Sequence, residues 1–337
     1  MAAPGSPRML LLTGATGLVG SALLRRLTAA GVPVRCLVRD PRRLGAERVR
    51  VQIALGDLLD PPSFRNAMRG VTTVVHLAAS IRDESAGSIE ELNGIATWRM
   101  VEAAERAGVE HFVFFSALEA SAFQRCRFLR SKALAEAAVS EAAIRTTVFA
   151  PSIVYAPGDP YLSLLEVLSL LPVMPMSGRG RAVYQPIWAE DVADCVMAVL
   201  GPGPGPPEPT GNGGRSVVAG GAGAAEQGGE EGPEGPGAPA EGRHRRFELA
   251  GPETLSHRQI LGLALRSFGR HRLILPVPTP IASRSLRALT ALIKGRAFAT
   301  WDEAELMEVS LTSRQGTADA ERLGVTPQPM AAVLGVG

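Results

Sequence analysis

Residues 8–150 alternate short apolar runs with longer stretches in which apolar residues recur at spacings of three and four. The short runs are typical of buried β-strands, and the longer stretches place apolar side chains on one face of a helix. Strands are predicted near residues 9–13, 34–38, 51–55, 73–77, 111–116 and 146–149. Alternation of this kind predicts an α/β fold in which repeated strand-helix-strand units build a doubly wound parallel sheet.

The first predicted helix carries Val19, Leu23 and Leu27 on one face. Gly31 follows this helix and Gly108 follows a later one, at the positions where C-terminal caps belong. The glycines therefore mark where these two helices are expected to end.

A change in composition divides the second half of the chain. Between residues 201 and 242 more than half of the residues are Gly or Pro, and large apolar side chains are absent. Such a segment buries too little surface to offset the entropy of ordering it, which predicts a disordered insertion. The predicted organisation is a nucleotide-binding core at 8–155, a substrate-side segment with a returning core helix at 156–200, the insertion at 201–246, and a small C-terminal substrate-side region at 247–337.

A glycine-rich segment follows the first predicted strand directly and opens the first helix. It comprises Thr13, Gly14, Ala15, Thr16, Gly17, Leu18, Val19 and Gly20. In this position Gly14 would allow the tight turn, Gly17 would let the backbone approach a pyrophosphate, and Gly20 would permit close packing of helix on strand. Free N–H groups at the start of the helix would face the phosphates. The segment predicts dinucleotide binding in a Rossmann-like fold, and the alternative is a plain turn into a helix.

The end of the second strand indicates which dinucleotide binds. Val38 occupies the position where an acidic residue would hold the ribose 2′-hydroxyl of NAD, and Arg39 follows it. An arginine there favours the 2′-phosphate of NADP, so NADP is the expected cofactor and NAD remains the alternative. Asp57, after the third strand, is a candidate acceptor for the adenine amino group, or else a turn or capping aspartate.

Charge and cysteine content exclude several other classes of protein. The 35 basic and 33 acidic residues are scattered along the chain, which argues against a nucleic-acid partner. Cys36, Cys126 and Cys195 lie far apart, so neither a disulfide framework nor a metal site is expected, and the cytoplasm is the expected location. The apolar stretch at 162–176 is too short to cross a bilayer, which leaves only peripheral membrane contact open.

Several segments resemble, in order, the atypical extended short-chain dehydrogenase/reductases. This superfamily includes NAD-dependent epimerase/dehydratase-like and NmrA-like proteins and the nucleotide-binding accessory subunit of respiratory complex I. The matching segments are residues 13–20, 38–40, 56–58, 75–79, 112–116, 151–159, 185–193 and 247–261. The resemblance implies that Leu58, Leu77, Ala78 and Ala79 line the cofactor and that residues 151–154 lie beside the nicotinamide. His76, at the end of the fourth strand, is expected to be a hydrogen-bonded core residue rather than a proton carrier.

The resemblance breaks at the catalytic position. Enzymes of this superfamily carry a Tyr-x-x-x-Lys helix in which the lysine lowers the pKa of the proton-donating tyrosine. This chain has Phe128 in place of that tyrosine and keeps Lys132, which is one of only two lysines. By the resemblance, Lys132 would bind the nicotinamide ribose and Ser116 would be the serine of the catalytic group. The usual acid/base group is therefore missing.

The predicted function is dinucleotide binding without conventional dehydrogenase activity. Three alternatives remain: an active reductase or epimerase with another proton donor, a redox-sensing regulator, and a structural subunit of a larger complex. Tyr155 and Tyr184 are the nearest candidate donors. A substrate would be small and apolar if residues 164–171 lined its pocket, but these leucines are equally consistent with core.

Overall fold

The computed structural model describes residues 8–177, 180–201, 243–277 and 305–336. Strands within these ranges are β1 (Met9–Thr13), β2 (Val34–Val38), β3 (Gln52–Leu55), β4 (Val71–His76), β5 (His111–Phe115), β6 (Arg145–Pro151), β7 (Val154–Tyr155), β8 (Val173–Ser177), β9 (Val183–Tyr184), β10 (Ile187–Trp188), β11 (His244–Leu249), β12 (Leu255–Ser256) and β13 (Leu273–Val277). Seven of them form one parallel sheet in the order β3-β2-β1-β4-β5-β6-β11. The remaining six pair as β7 with β10, β8 with β13, and β9 with β12.

Helices connect the strands. They are α1 (Leu18–Ala29), α2 (Pro61–Arg65), α3 (Ala96–Arg106), α4 (Arg127–Ser140), α5 (Pro160–Leu168), α6 (Ala189–Leu200), α7 (His257–Ser267), α8 (Ala318–Arg322) and α9 (Met330–Val333), with 3-10 turns at Pro41–Val49 and Asn66–Met68 and a π turn at Glu91–Ile95. In the described part of the chain, no helix has both the length and the apolar character needed to cross a membrane.

The two faces of the sheet are covered by different helices. Leu10 and Leu12 of β1 pack in one buried cluster with α1 and α6. Leu11 points to the opposite face and packs with α3 and α4. Because successive side chains of a strand alternate between faces, one apolar strand supplies both cores. The doubly wound parallel sheet is thus confirmed.

A third buried cluster lies in the substrate-side part of the chain. It includes Leu164, Leu165 and Leu168 of α5, together with residues of α7. The core interpretation of these three leucines is therefore correct, whereas Leu170 and Leu171 are exposed. Helix α7 begins with a capping box, in which Ser256 and Gln259 satisfy each other's backbone N–H groups.

The six strands predicted from the pattern lie within two residues of the observed bounds at each end. Gly31 and Gly108 have φ values of 69° and 73°, the left-handed conformation expected beyond a helix end. Residues 202–242, most of the predicted insertion, lie outside the described residues.

The predicted end of the insertion was wrong, because β11 begins at His244 and not at Phe247. Residues His244 to Arg246 are exposed, and His244 Nδ1 lies 2.7 Å from Thr146 Oγ1 of β6. β11 is the edge strand of the sheet, so water solvates one side of it. Its polar start therefore resembles loop sequence.

Candidate functional site

The glycine segment occupies the turn between β1 and α1, at the carboxyl edge of the sheet. Gly17 is the N-cap of α1, and its N–H donates to the carbonyl oxygen of Gly14 at 3.0 Å. Among the described residues, no side chain caps the first turn of α1. The N–H groups at this helix start are therefore available to an anion, and the helix dipole adds partial positive charge.

The three glycines of this segment differ in what surrounds them. Gly14 has a φ of 71°, and a Cβ there would lie 2.6 Å from Ala78 N. A Cβ on Gly20 would lie 2.1 Å from the carbonyl oxygen of Gly14, so this residue sets the contact between helix and turn. A Cβ on Gly17 would meet only that same oxygen, at 3.3 Å, among the described atoms within 4 Å. Space beside Gly17 therefore opens toward the cleft.

A cleft of about 350 Å³ lies against this turn, where the strand order reverses between β1 and β4. A reversal of this kind is where parallel α/β sheets bind ligands. The cleft is lined by eleven residues predicted from the sequence, Thr13, Gly14, Ala15, Thr16, Gly17, Arg39, Asp57, Leu58, Leu77, Ala78 and Ala79. The structure adds Leu37, Val38, Asp40, Arg43, Gly56, Ser80, Glu84 and Leu92 to the lining.

Five predicted site residues do not line this cleft. Leu18, Val19 and Gly20 belong to α1, behind the turn. Ser116 and Lys132 are both buried between the sheet and α4, at 4% exposure each. The cleft as described thus contains the predicted cofactor-binding turn but not the two predicted catalytic residues.

The end of the cleft next to β2 contains an ion pair. Arg39 Nη1 lies 2.8 Å from Glu84 Oε2, and this hydrogen bond raises the pKa of the arginine. Asp57 Oδ1 accepts from Leu59 N at 2.9 Å, which is the turn role considered above. The second carboxylate oxygen of Asp57 could accept from the adenine amino group, and this role stays a proposal.

His76 is a core residue of the sheet, as expected. Its Nδ1 lies 2.8 Å from Thr13 Oγ1, and its Nε2 lies 3.1 Å from Thr97 Oγ1. Thr13 Oγ1 also accepts from Ala78 N at 3.3 Å, so these hydrogen bonds join the end of β1 to β4 and to the residues that follow it. Burial lowers the pKa of His76 to about 3, so the ring is neutral at physiological pH.

Lys132 lies one turn after Phe128 on α4 and points toward the sheet. Its Nζ donates to the carbonyl oxygen of Phe115 at 2.6 Å and lies 5.7 Å from the centre of the Phe128 ring. Burial lowers the pKa of this lysine to about 7, although the charge of Glu136 opposes the shift. Ser116 Oγ donates to Glu136, which also pairs with Arg246.

A second group of polar side chains lies on the substrate side. The sequence indicated Tyr155 and Tyr184 of this group but not Tyr161 and His257. Tyr161 Oη and His257 Nε2 are 2.8 Å apart, and both side chains line a narrow apolar cavity with Tyr155 and Tyr184. Tyr184 donates to the carbonyl oxygen of Met307. Within the described part of the chain, Tyr155 Oη and His257 Nδ1 are buried without a hydrogen-bond partner.

Part of the chain is similar in sequence to a known protein family and to several known proteins. A protein-family model for NAD(P)H-binding domains matches residues 14–162. Sterol demethylase protein B of Methylococcus capsulatus is 39% identical over 113 residues, which cover 33% of this chain and 34% of that protein. Ceramide reductase of Caulobacter vibrioides is 30% identical over 197 residues, which cover 56% of this chain and 62% of that protein. The chain thus matches about a third to three fifths of the length of these relatives.

Solved structures share the fold over nearly the whole chain. Triphenylmethane reductase of a Citrobacter species, in complex with NADP(H), has a TM-score of 0.67 at 14% identity, covering 97% of this chain and 99% of that one. Other neighbours are nucleotide-sugar epimerases, one of them in complex with NAD. Residues 14–162 are thus similar in sequence to NAD(P)H-binding domains. The chain shares the Rossmann-like fold of these solved reductases and epimerases, and this fold is the one that the sequence resemblance implied.

Proposed function

We propose that this chain binds NADPH or NADH in the cleft beside the glycine turn and does not carry out the proton transfer of conventional short-chain dehydrogenases. One observation carries the second half of this proposal. The ring of Phe128 stands 5.7 Å from Lys132 Nζ, where the superfamily carries its tyrosine, and a phenyl ring has no proton to donate. Binding without turnover suits a redox-sensing protein or a structural subunit.

The described residues suggest how the dinucleotide would be held. Backbone N–H groups at the start of α1 would bind the pyrophosphate, and Arg39 would bind a 2′-phosphate. Asp57 would accept from the adenine amino group, and Lys132 would donate to the nicotinamide ribose hydroxyls. The nicotinamide, when bound, supplies or accepts hydride. Arg39 and Asp57 line the cleft, whereas Lys132 is buried outside its lining and would have to reach the ribose from there.

Lys132 makes the proposed ribose contact testable by pH. Among the described residues, its Nζ has one hydrogen-bond acceptor, Phe115, and its pKa is lowered to about 7. Ribose oxygens would favour the charged ammonium and raise this pKa on binding. NADH affinity should therefore be highest below pH 7 and fall as the pH rises above it. The total fall should be about tenfold for each unit by which NADH binding raises the pKa of Lys132. NADH is used because it lacks the 2′-phosphate, a group that itself titrates near neutral pH.

The measurement is the dissociation constant of NADH between pH 6 and pH 9 in the wild type and in Lys132→Met. The wild type should take up a proton on binding, and the variant should show a flat profile over this range. A flat profile in the wild type would remove Lys132 from the ribose contact.

A second candidate function is an active reductase whose proton donor lies on the substrate side. Its supporting observation is that Tyr155 and His257 line one apolar cavity, and that Tyr155 Oη and His257 Nδ1 are buried without a hydrogen-bond partner in the described part of the chain. A buried polar group left without a hydrogen bond is costly, and a carbonyl oxygen of a ligand or an ordered water would satisfy the tyrosine. Burial raises the pKa of Tyr155 and Tyr161, so both phenols stay protonated at neutral pH.

The two functions are separated by incubating the NADPH complex with a panel of simple ketones, aldehydes and quinones. Our proposal expects bound NADPH that is not oxidised. Turnover that is lost in Tyr155→Phe or Tyr161→Phe, with unchanged NADPH affinity, would instead establish the active reductase.

A further inference from the structure

An ion pair between two separate chain segments lies at the end of the cleft next to β2. Arg39 follows β2 and Glu84 belongs to the loop after β4, and both residues line the cleft. Their side chains meet at 2.8 Å and are about half and a third exposed. The guanidinium that would bind a 2′-phosphate is therefore already paired with a carboxylate.

The backbone of Glu84 is held within its own loop by contacts that do not involve Arg39. Glu84 N donates to Gly87 O at 3.0 Å, and Gly87 N donates to Glu84 O at 3.2 Å. The neighbouring Asp83 pairs with Arg127 of α4 at 3.0 Å and accepts from Ile89 N at 2.8 Å. These contacts hold the backbone of Glu84 beside the cleft without the help of Arg39, so a carboxylate stays near this end of the cleft when Arg39 moves to a ligand.

Two other acidic residues, Asp40 and Asp57, line the cleft, and neither pairs with Arg39 among the described residues. Asp57 affects Arg39 through its charge alone, and its Oδ1 accepts from Leu59 N at 2.9 Å. Asp40 Oδ1 accepts from Arg42 N at 3.0 Å and caps the 3-10 turn that follows β2. Arg43 adds positive charge to the same end of the cleft. Glu84 is thus the acidic group in direct contact with Arg39 and the one placed to oppose a 2′-phosphate.

We propose that Glu84 determines the selectivity of this site between NADPH and NADH. The end of β2 lacks the acidic residue that holds the ribose 2′-hydroxyl in NAD sites, and Glu84 supplies a carboxylate to that end of the cleft from a different loop. NADPH binding has to break the pair with Arg39 and to place a phosphate near a negative charge. NADH binding leaves the pair intact and offers the carboxylate a hydroxyl donor.

The test measures dissociation constants for both cofactors in four proteins: wild type, Glu84→Gln, Arg39→Gln and the double variant. Glutamine keeps the size of the side chain and removes its charge. In Glu84→Gln we expect NADPH affinity to rise about tenfold, which is about 1.4 kcal/mol, and NADH affinity to stay equal or fall. The gain should be smaller in the double variant, because the contribution of the freed Arg39 is lost and only the relief of charge repulsion remains.

Glu102→Gln is the matched control, because Glu102 pairs with Arg106 on the exposed face of α3 and does not line the cleft. It removes the same charge and should leave the ratio of the two affinities unchanged. If Glu84→Gln fails to fold, as judged by circular dichroism, Glu84→Ala tests the same ratio.

This inference rests on the proposed dinucleotide site, and the two fail differently. Absence of NADPH and NADH binding in the wild type would overturn the proposed function. If both cofactors bind and the ratio of their affinities is the same in Glu84→Gln as in the wild type, the role of Glu84 is overturned and the proposed function is not.

Discussion

Gly17→Val is expected to abolish measurable dinucleotide binding while the protein stays folded. Gly17 has φ −83° and ψ 178°, a conformation that valine adopts without strain. Its added side chain would contact the carbonyl oxygen of Gly14 and otherwise extend into the cleft, where the pyrophosphate has to approach the backbone. We expect a loss of at least a hundredfold in affinity, about 2.7 kcal/mol, for NADPH and NADH alike. Titration calorimetry measures this loss directly.

Gly20→Ala provides the matched control in the same turn. Its Cβ would lie 2.1 Å from the carbonyl oxygen of Gly14, a contact that no real structure accommodates without movement of the backbone. This variant should lower the melting temperature, whereas Gly17→Val should leave it nearly unchanged. Wild-type affinity in Gly17→Val would place the dinucleotide elsewhere in the molecule.

Phe128→Tyr is expected to create reductase activity that the wild type lacks, provided that a carbonyl substrate fits. The ring of Phe128 is half-buried and packs against the substrate-side cluster, with Lys132 Nζ 5.7 Å from its centre. A phenol on this ring would lie in the field of the ammonium, which lowers its pKa. General acid catalysis of this kind contributes about a hundredfold to ten-thousandfold in rate. The measurement is NADPH oxidation across the same carbonyl panel.

The double variant Phe128→Tyr with Lys132→Met separates the phenol from its neighbouring charge. It should lose most of the gained rate, because the pKa of the phenol returns toward its solution value. Turnover in the wild type that survives Phe128→Ala would show that the proton comes from another group, and Tyr161 and Tyr155 would then be tested first.

Several features of this protein could be predicted from the local sequence. Six of the seven strands of the sheet agree with the predicted bounds to within two residues, because burial on both faces of central strands requires a nearly continuous apolar run. The glycine turn was predictable for a similar reason. Its backbone conformation and close contacts tolerate only glycine at Gly14 and Gly20, and this restriction is visible in the residues themselves.

Other features depend on residues far apart in the chain. Glu84 meets Arg39 only because the loop after β4 and the end of β2 reach the same edge of the sheet. His257 meets Tyr161 across the third cluster, although the two residues are 96 positions apart. No local pattern marks such a pair, because each residue alone is an ordinary polar side chain.

The sequence by itself determined the doubly wound sheet, the glycine turn and the spacing of Phe128 one helical turn before Lys132, since each depends on residue type and short-range spacing. Only the tertiary structure decided the surroundings of the charged and titratable groups. It buried Lys132 against Phe115 and paired Arg39 with Glu84. It also left Tyr155 and His257 with buried polar atoms that lack partners among the described residues. The physical reason is that burial and pairing set the pKa and hydrogen bonding of a side chain, and both arise from chain segments that meet only in the folded protein.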